Sequence, residues 1–132
     1  AVWVPEYLEL LDFRYEDTPY SAKLGDYTSH LSLKPSEYFA RNVLVGASCM
    51  PRREAERRRE IGVENIAWGS DFPHPEGTWP NTAANMRETF FQLPKEELTM
   101  MLGTNAADWY GFEIDKLAPV VDRIGPEHAD FE

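Results

Sequence analysis

The sequence predicts an α/β fold built on parallel strands. Residues 43–47 and 65–69 are compact apolar runs, as expected for parallel strands that are covered on both faces. The 17 residues between them leave room for the crossover that joins parallel strands. Within that connection, residues 52–61 are dense in Arg and Glu and are followed by Gly62, which is typical of an exposed helix with a glycine cap. The chain therefore contains one βαβ unit.

Two helices are predicted before this unit. Residues 5–15 carry apolar side chains at helical spacing, and Pro5 suits the first turn of a helix. Residues 34–39 permit a second, short helix. The segment 16–33 between them has little periodicity, so we predict a loop with one or two short helical turns.

Three further helices are predicted after the second strand. Thr82 is expected to cap the first of them, which ends before Pro94. Residues 95–102 and 104–110 are predicted to be two separate helices, each stopped by the glycine that follows it.

The end of the chain is less regular. In the helix at 104–110, Ala106, Ala107 and Trp109 are expected to pack on the core. The tail contains a short apolar segment, 117–124, which we expect Pro119 to interrupt.

Composition and charge narrow the class of protein. The chain has 132 residues, of which 42% are hydrophobic and 13% aromatic, and this fits one modest globular domain. Thirteen Lys and Arg against 23 Asp and Glu give a formal charge of -10, which repels phosphate backbones and anionic lipids. Nucleic acid and membrane surfaces are therefore not expected partners. Apolar runs stay well short of the roughly 18 residues of a membrane span, and a lone Cys49 fits a reducing compartment, so we expect a cytoplasmic protein.

The densest set of reactive side chains follows the second strand, in the segment 65–80. Asp71 lies at the carboxyl end of a predicted parallel strand, where α/β folds place their ligands, and prolines stiffen the loop after it. A carboxylate there can ligate a metal, act as a general base, or serve as a cap or an Arg partner. His74 can be a metal ligand, orient another ligand, donate to a substrate, or be satisfied by loop backbone. Glu76 either faces the site or is simply solvated.

Other candidates have less support. Ser70 lacks the flanking glycines of a nucleophile elbow. Cys49 follows the first strand, so a reactive thiol is conceivable, although small buried cysteines are the usual case. His30 and His128 stand alone in the sequence and are expected to be structural. The glycine-rich motifs that bind nucleotide phosphates are missing, which argues against nucleotide binding.

Five stretches of the chain carry a more specific pattern, at 3–12, 34–39, 68–80, 102–107 and 110–112. The third of them contains Gly69-Ser70-Asp71-Phe72-Pro73-His74. Together they resemble the carboxyl-terminal part of the amidohydrolase-2 family, which comprises metal-dependent hydrolases and decarboxylases of the amidohydrolase superfamily. The third stretch is the most specific part of the resemblance.

The resemblance implies a (β/α)8 TIM barrel, in which 43–47 would be the seventh strand and 65–69 the eighth. Asp71 would then match the aspartate of the eighth strand that ligates or adjoins a divalent metal and helps to handle a proton. His74 would match a recurrent family position. The expected metal is zinc.

Most of the metal site implied by the resemblance has no counterpart in this sequence. The family's other histidine ligands cannot be assigned to His30, His74 or His128. A barrel of this kind takes about 250 residues. We therefore expect a single partial domain, the carboxyl-terminal part of a longer enzyme, whose missing amino-terminal half supplies most ligands and without which the chain is inactive.

The leading hypothesis is thus a metal-dependent hydrolase or carboxy-lyase acting on a small carbonyl or carboxylate substrate. A non-enzymatic alternative is an acidic α/β interaction module whose proline-rich loop binds a protein. A third possibility is a redox or transferase activity based on Cys49. We also expect the isolated chain to self-associate into a homo-oligomer or to be only partly ordered, because the edges of the two strands would be exposed without the missing half.

Overall fold

The computed structural model of the protein describes residues 1–17 and 28–132. They form two compact units, Ala1–Val43 and Leu44–Glu132. Most of the loop predicted over 16–33 lies outside the described residues.

The first unit contains two helices, α1 (Val4–Asp17) and α2 (Pro35–Asn42), together with a short 3-10 turn. Both helices are confirmed, and α1 extends beyond its predicted limits at both ends. Pro35 begins α2, where its missing N–H has no intrahelical partner to lose. Asp12 on α1 holds this start, because its carboxylate accepts the N–H of Ser36 at 2.9 Å and the Ser36 hydroxyl at 2.5 Å.

The second unit contains the two strands, β1 (Val45–Ser48) and β2 (Ile66–Gly69). They pair in parallel, with Val45 opposite Ile66. The prediction of adjacent parallel strands is therefore confirmed. The first strand was predicted from residue 43, whereas β1 begins at Val45. The described residues thus contain both helices and strands, and the two strands form a small parallel sheet.

The two faces of the sheet differ in burial. Ala47 and Ile66 point to a buried side, where they are 6% and 0% exposed. Gly46 and Ser48 alternate with them and are exposed, as the period of two in a strand requires. The rest of the apolar core of this unit is Met50, Ala55, Ile61, Val63, Met86, Phe90, Leu93, Leu98, Met101, Ala107 and Phe131.

The connection from β1 to β2 is helical but broken. It contains α3 (Arg52–Glu56), α4 (Arg58–Ile61) and a 3-10 turn, Val63–Asn65. The prediction of one helix is wrong at Arg57, whose ψ of 8° departs from helical values. The break allows Arg58 to turn inward. Its guanidinium is buried and donates to the Glu97 carboxylate at 2.5 Å and to a backbone carbonyl at 3.0 Å.

Two helices follow β2 after a loop, α5 (Thr82–Phe90) and α6 (Lys95–Thr99). The prediction that Thr82 caps α5 is wrong, because Asn81 occupies the cap position and Thr82 is the first helical residue. The Thr82 hydroxyl instead lies 3.0 Å from the hydroxyl of Thr78, at the end of the preceding loop.

Two of the three glycines that were expected to end helices do so. Gly62 follows α4 with a φ of 105°, and Gly111 ends α7 (Asn105–Tyr110) with a φ of 71°, in the region that favours glycine. Gly103 does not end a helix, which corrects the prediction of two separate helices. It lies in a π-helical turn, Met100–Thr104, that joins α6 to α7 without a stop.

Two further predictions in the carboxyl-terminal segment are wrong, one at Trp109 and one at Pro119. Ala107 is buried as expected, but Trp109 is half exposed. The two residues are two positions apart in the helix, so their side chains point about 200° away from each other around the helix axis. Pro119 lies inside α8 (Ile114–Ile124) and does not interrupt it. The chain ends in a 3-10 turn from which Phe131 reaches the core. Within residues 1–17 and 28–132, no helix combines the length and the apolar character needed to cross a membrane.

Candidate functional site

The carboxyl ends of both strands carry a strained residue. Cys49 comes directly after β1 with a φ of 52°, and Asp71 comes two residues after β2 with a φ of 59°. A positive φ is uncommon for any residue other than glycine, and such residues cluster at functional sites. Since parallel strands end at the same edge of a sheet, both residues lie at the edge where α/β proteins place their ligands.

The loop of residues 70–78, which follows β2, is tightly closed by its own backbone. Thr78 donates its N–H to the Ser70 carbonyl at 2.9 Å, which joins the two ends of the loop. Inside it, His74 donates its N–H to the Asp71 carbonyl at 2.7 Å, and Gly77 donates to the His74 carbonyl at 2.9 Å. The 70–78 loop is therefore a compact structure that holds the side chains of Asp71 and His74 in fixed positions.

Asp71 and His74, the two residues that the sequence singled out first, are brought together. Asp71 Oδ2 lies 3.3 Å from His74 Nδ1, with the two side chains 42% and 55% exposed. His74 Nδ1 also lies 3.3 Å from the N–H of Glu76. Nδ1 accepts from Glu76 when it carries no proton and donates to Asp71 when it carries one, so the two contacts belong to different protonation forms of the ring.

The other candidates of the loop have backbone roles. The side chain of Glu76 is exposed, while its carbonyl accepts the Cys49 thiol at 3.1 Å. Ser70 uses its hydroxyl to accept the N–H of Phe72 at 3.3 Å. The general expectation of a buried cysteine is wrong for Cys49, because the free thiol lies at the exposed strand end. That thiol ties the end of β1 to the loop after β2.

The two remaining histidines lie elsewhere. His30 is exposed in the short turn of the first unit. His128 is in the last 3-10 turn, where its Nδ1 lies 3.2 Å from a carboxylate oxygen of Glu132.

The described residues do not by themselves complete a metal centre. Among residues 1–17 and 28–132, no three His, Cys, Asp or Glu side chains cluster closely enough to hold a metal ion. A catalytic zinc usually has three protein ligands. Asp71 offers a carboxylate and His74 an imidazole, which are side-chain types that bind zinc in proteins.

The sequence patterns do not single out three features in and beside this loop. Thr78 is buried and joins the two ends of the loop through its hydrogen bond to Ser70. No sequence rule predicts a hydrogen bond between residues eight positions apart. Gly77 was detectable in principle, because a lone glycine in a proline-rich loop often marks a close backbone approach. Phe72 and Trp79 were also passed over; their rings stack edge to face at 6.0 Å and are 65% and 67% exposed.

A comparison with known families matches the part of the chain that contains this site. The model of the amidohydrolase-2 family, described as amidohydrolase, matches residues 29–112, a range that includes both strands and the 70–78 loop. The match covers more than half of the chain, so the protein belongs to this family. No curated protein matches the chain. Family membership places the protein in a superfamily of hydrolase and decarboxylase type, whose members typically use divalent metals.

Proposed function

We propose that this chain forms part of a metal-dependent enzyme that hydrolyses or decarboxylates a small carbonyl or carboxylate substrate. The observation that carries the proposal is Asp71, an exposed carboxylate in strained backbone at the carboxyl end of β2, 3.3 Å from His74. Both residues lie within the family match. The remaining ligands are proposed to come from residues outside this chain.

Within the site, Asp71 is proposed to be both a metal ligand and an acceptor for a proton from the reacting water or substrate. His74 is proposed to keep the carboxylate oriented and to exchange a proton with it through Nδ1, the atom that faces Oδ2. A divalent metal such as zinc, when bound, supplies a Lewis acid and a concentrated positive charge. The loop contributes a fixed geometry, since its hydrogen bonds restrict the backbone that carries the side chains of Asp71 and His74.

The proposed architecture is a (β/α)8 barrel with β1 and β2 as its seventh and eighth strands. The parallel pairing and the helical crossover between the strands support it. The exposed face of the sheet supports it as well, because Gly46 and Ser48 leave space for side chains of a barrel interior. Such a barrel needs six further strands, which are proposed to lie outside the chain.

A second candidate function is an interaction module that binds a protein through the 70–78 loop and the adjoining Trp79. Phe72 and Trp79 favour this reading, because large aromatic rings that are about two-thirds exposed are common at protein interfaces. The two functions differ in their need for a metal.

The test is metal analysis of the complete polypeptide that carries this chain. We expect stoichiometric divalent metal in the purified protein, and a zinc affinity that falls at least tenfold in Asp71→Asn. The amide keeps the shape of the side chain but removes the charge that a cation requires. Asp115→Asn is the matched control, because Asp115 is an exposed carboxylate on α8, and its zinc affinity should equal that of the wild type.

Absence of metal from the wild type, or equal zinc affinity in Asp71→Asn and Asp115→Asn, would contradict the enzymatic proposal. The interaction module would then be tested by replacing Trp79 with Ala and measuring capture of a labelled partner.

A further inference from the structure

The backbone around Gly77 has no room for a side chain. A Cβ added to Gly77 would lie 2.8 Å from the carbonyl oxygen of Ser70, 2.9 Å from that of Asp71 and 3.0 Å from that of His74. Real Cβ atoms essentially never come closer than 3.0 Å to another atom, and the contacts with Ser70 and Asp71 fall below this limit. Three oxygens from one loop therefore converge on the space that glycine leaves open.

The need at this position is for space and not for an unusual conformation. Gly62 and Gly111 have positive φ angles, whereas Gly77 does not. An alanine at residue 77 would not face a positive φ but would collide with the three carbonyl groups. Gly77→Ala is therefore a steric probe of the loop.

The three carbonyl groups cannot move aside without cost. The Ser70 carbonyl accepts the Thr78 N–H at 2.9 Å and the Thr78 hydroxyl at 3.4 Å. The Asp71 carbonyl accepts from His74 at 2.7 Å, and the His74 carbonyl accepts from Gly77 itself at 2.9 Å. A collision at residue 77 thus breaks the hydrogen bonds that close the 70–78 loop.

Asp71 is the residue that depends most on this closure. Its φ of 59° lies in the left-handed region, which Asp tolerates better than most residues but which still costs free energy for any residue other than glycine, so the surrounding loop helps to maintain it. The Asp71 carbonyl is one of the three groups that Gly77 accommodates, and the direction of the Asp71 side chain follows from the backbone angle.

We infer that Gly77 is a positioning residue for Asp71. The absence of a side chain at residue 77 allows the loop to close, and the closed loop holds Asp71 in the left-handed conformation that directs its carboxylate. The functional part of this inference rests on the proposed role of Asp71 as a metal ligand, whereas the conformational part does not.

The first experiment addresses conformation alone. In the full chain, NMR couplings and intraresidue NOEs of Asp71 report whether its φ is positive. Wild type and Gly103→Ala should both show a positive φ, because a Cβ added to Gly103 meets nothing within 4 Å. Gly77→Ala should lose it. A positive φ at Asp71 in folded Gly77→Ala would overturn the inference.

A second variant covers the case in which Gly77→Ala does not fold, as judged by circular dichroism. Thr78→Val keeps the shape of the buried side chain but removes the hydroxyl that bonds the Ser70 carbonyl and Thr82. It should accelerate hydrogen exchange at the Thr78 amide and reduce the population of positive φ at Asp71. No change in either quantity would overturn the inference.

The second experiment addresses function through zinc affinity of the complete polypeptide. Residues that orient a metal ligand typically change affinity by about 10–100-fold, and we expect this range for Gly77→Ala. Because Gly77 acts through Asp71, adding Gly77→Ala to Asp71→Asn should cause no further loss, whereas independent effects would add.

The two experiments separate the failure of the inference from that of the proposed function. If Asp71→Asn weakens zinc binding and Gly77→Ala does not, the positioning role of Gly77 is wrong. If Asp71→Asn leaves zinc affinity unchanged, the proposed function fails, and the φ of Asp71 in Gly77→Ala alone decides whether Gly77 sets its conformation.

Discussion

Ile66 and Asp71 lie only five residues apart, on either side of the end of β2, yet they belong to regions of opposite character. Ile66 is fully buried, and its carbonyl accepts a hydrogen bond from the Asn105 side chain at 2.8 Å. Asp71 is exposed, its backbone has a left-handed φ of 59°, and Thr78 is the one buried residue of the 70–78 loop.

The difference separates what stabilises this protein from what it uses chemically. The buried side of the sheet gains free energy from apolar burial, which is non-directional and tolerates small shifts. The 70–78 loop depends on a few directed hydrogen bonds and maintains strain at Asp71. Substitutions in the two regions should therefore affect different measurements.

The largest effect is expected at the loop. In the complete polypeptide, Asp71→Asn should lower turnover on small amide, lactone or carboxylate substrates by about 100-fold or more, because the amide cannot accept a proton. The melting temperature should stay within a few degrees of wild type, since Asp71 is exposed. Near-normal turnover would show that Asp71 is structural. Asp115→Asn serves as the control.

The next effect is expected on the buried side. Ile66→Ala should destabilise the protein by about 2–5 kcal/mol, because it removes a fully buried side chain and leaves a cavity. Urea unfolding monitored by circular dichroism measures the change. Ile114→Ala is the matched control at an exposed isoleucine of α8 and should cost less than about 1 kcal/mol. Equal losses in the two variants would mean that the sheet face is not the core.

A pH-dependent effect is expected at Glu97. Burial raises the pKa of this carboxyl group, but hydrogen bonds from Arg59 and Arg58 outweigh burial and hold the pKa below its ordinary value of 4.5. Because the pKa of Glu97 is lowered in the folded state, Glu97 contributes fully to stability above about pH 4.5. This contribution is lost as the pH falls through the folded-state pKa.

Glu97→Gln should accordingly lower the free energy of unfolding by about 2 kcal/mol at pH 7, and by less at pH 3. Denaturant titrations at both pH values provide the measurement. Glu113→Gln, which alters an exposed pair with Lys116, should change little at either pH. A Glu97→Gln effect that is the same at both pH values would contradict the assignment.

The smallest effect is expected at Gly46 on the exposed sheet face. In the 132-residue chain, Gly46→Val should change stability by less than about 1 kcal/mol, because an added Cβ meets nothing within 4 Å. If further strands cover this face, the same change in the complete polypeptide should destabilise by about 1–3 kcal/mol. Equal effects in both proteins would argue against a barrel that covers Gly46.

Sequence patterns predicted the parts of this molecule that depend on local chemistry. The two apolar runs predicted the parallel strands, which pair as expected. Position after the second run singled out Asp71 as the candidate site residue, and its role remains a prediction. The patterns missed features that depend on tertiary contacts. The crossover breaks at Arg57, and the next residue, Arg58, bonds Glu97, which lies 39 residues further along the chain. Gly103 continues a helix through a π-helical turn, and no sequence signal distinguishes it from the stop at Gly111.

The most direct test of the account measures zinc affinity and unfolding free energy on the same two variants of the complete polypeptide. Asp71→Asn should lose at least tenfold in zinc affinity while its metal-free stability stays within about 1 kcal/mol of wild type. Ile66→Ala should lose about 2–5 kcal/mol of stability and keep its zinc affinity wherever it remains folded. If both variants change both quantities together, or if Asp71→Asn changes stability alone, the separation between a packed sheet face and a metal-binding loop is wrong.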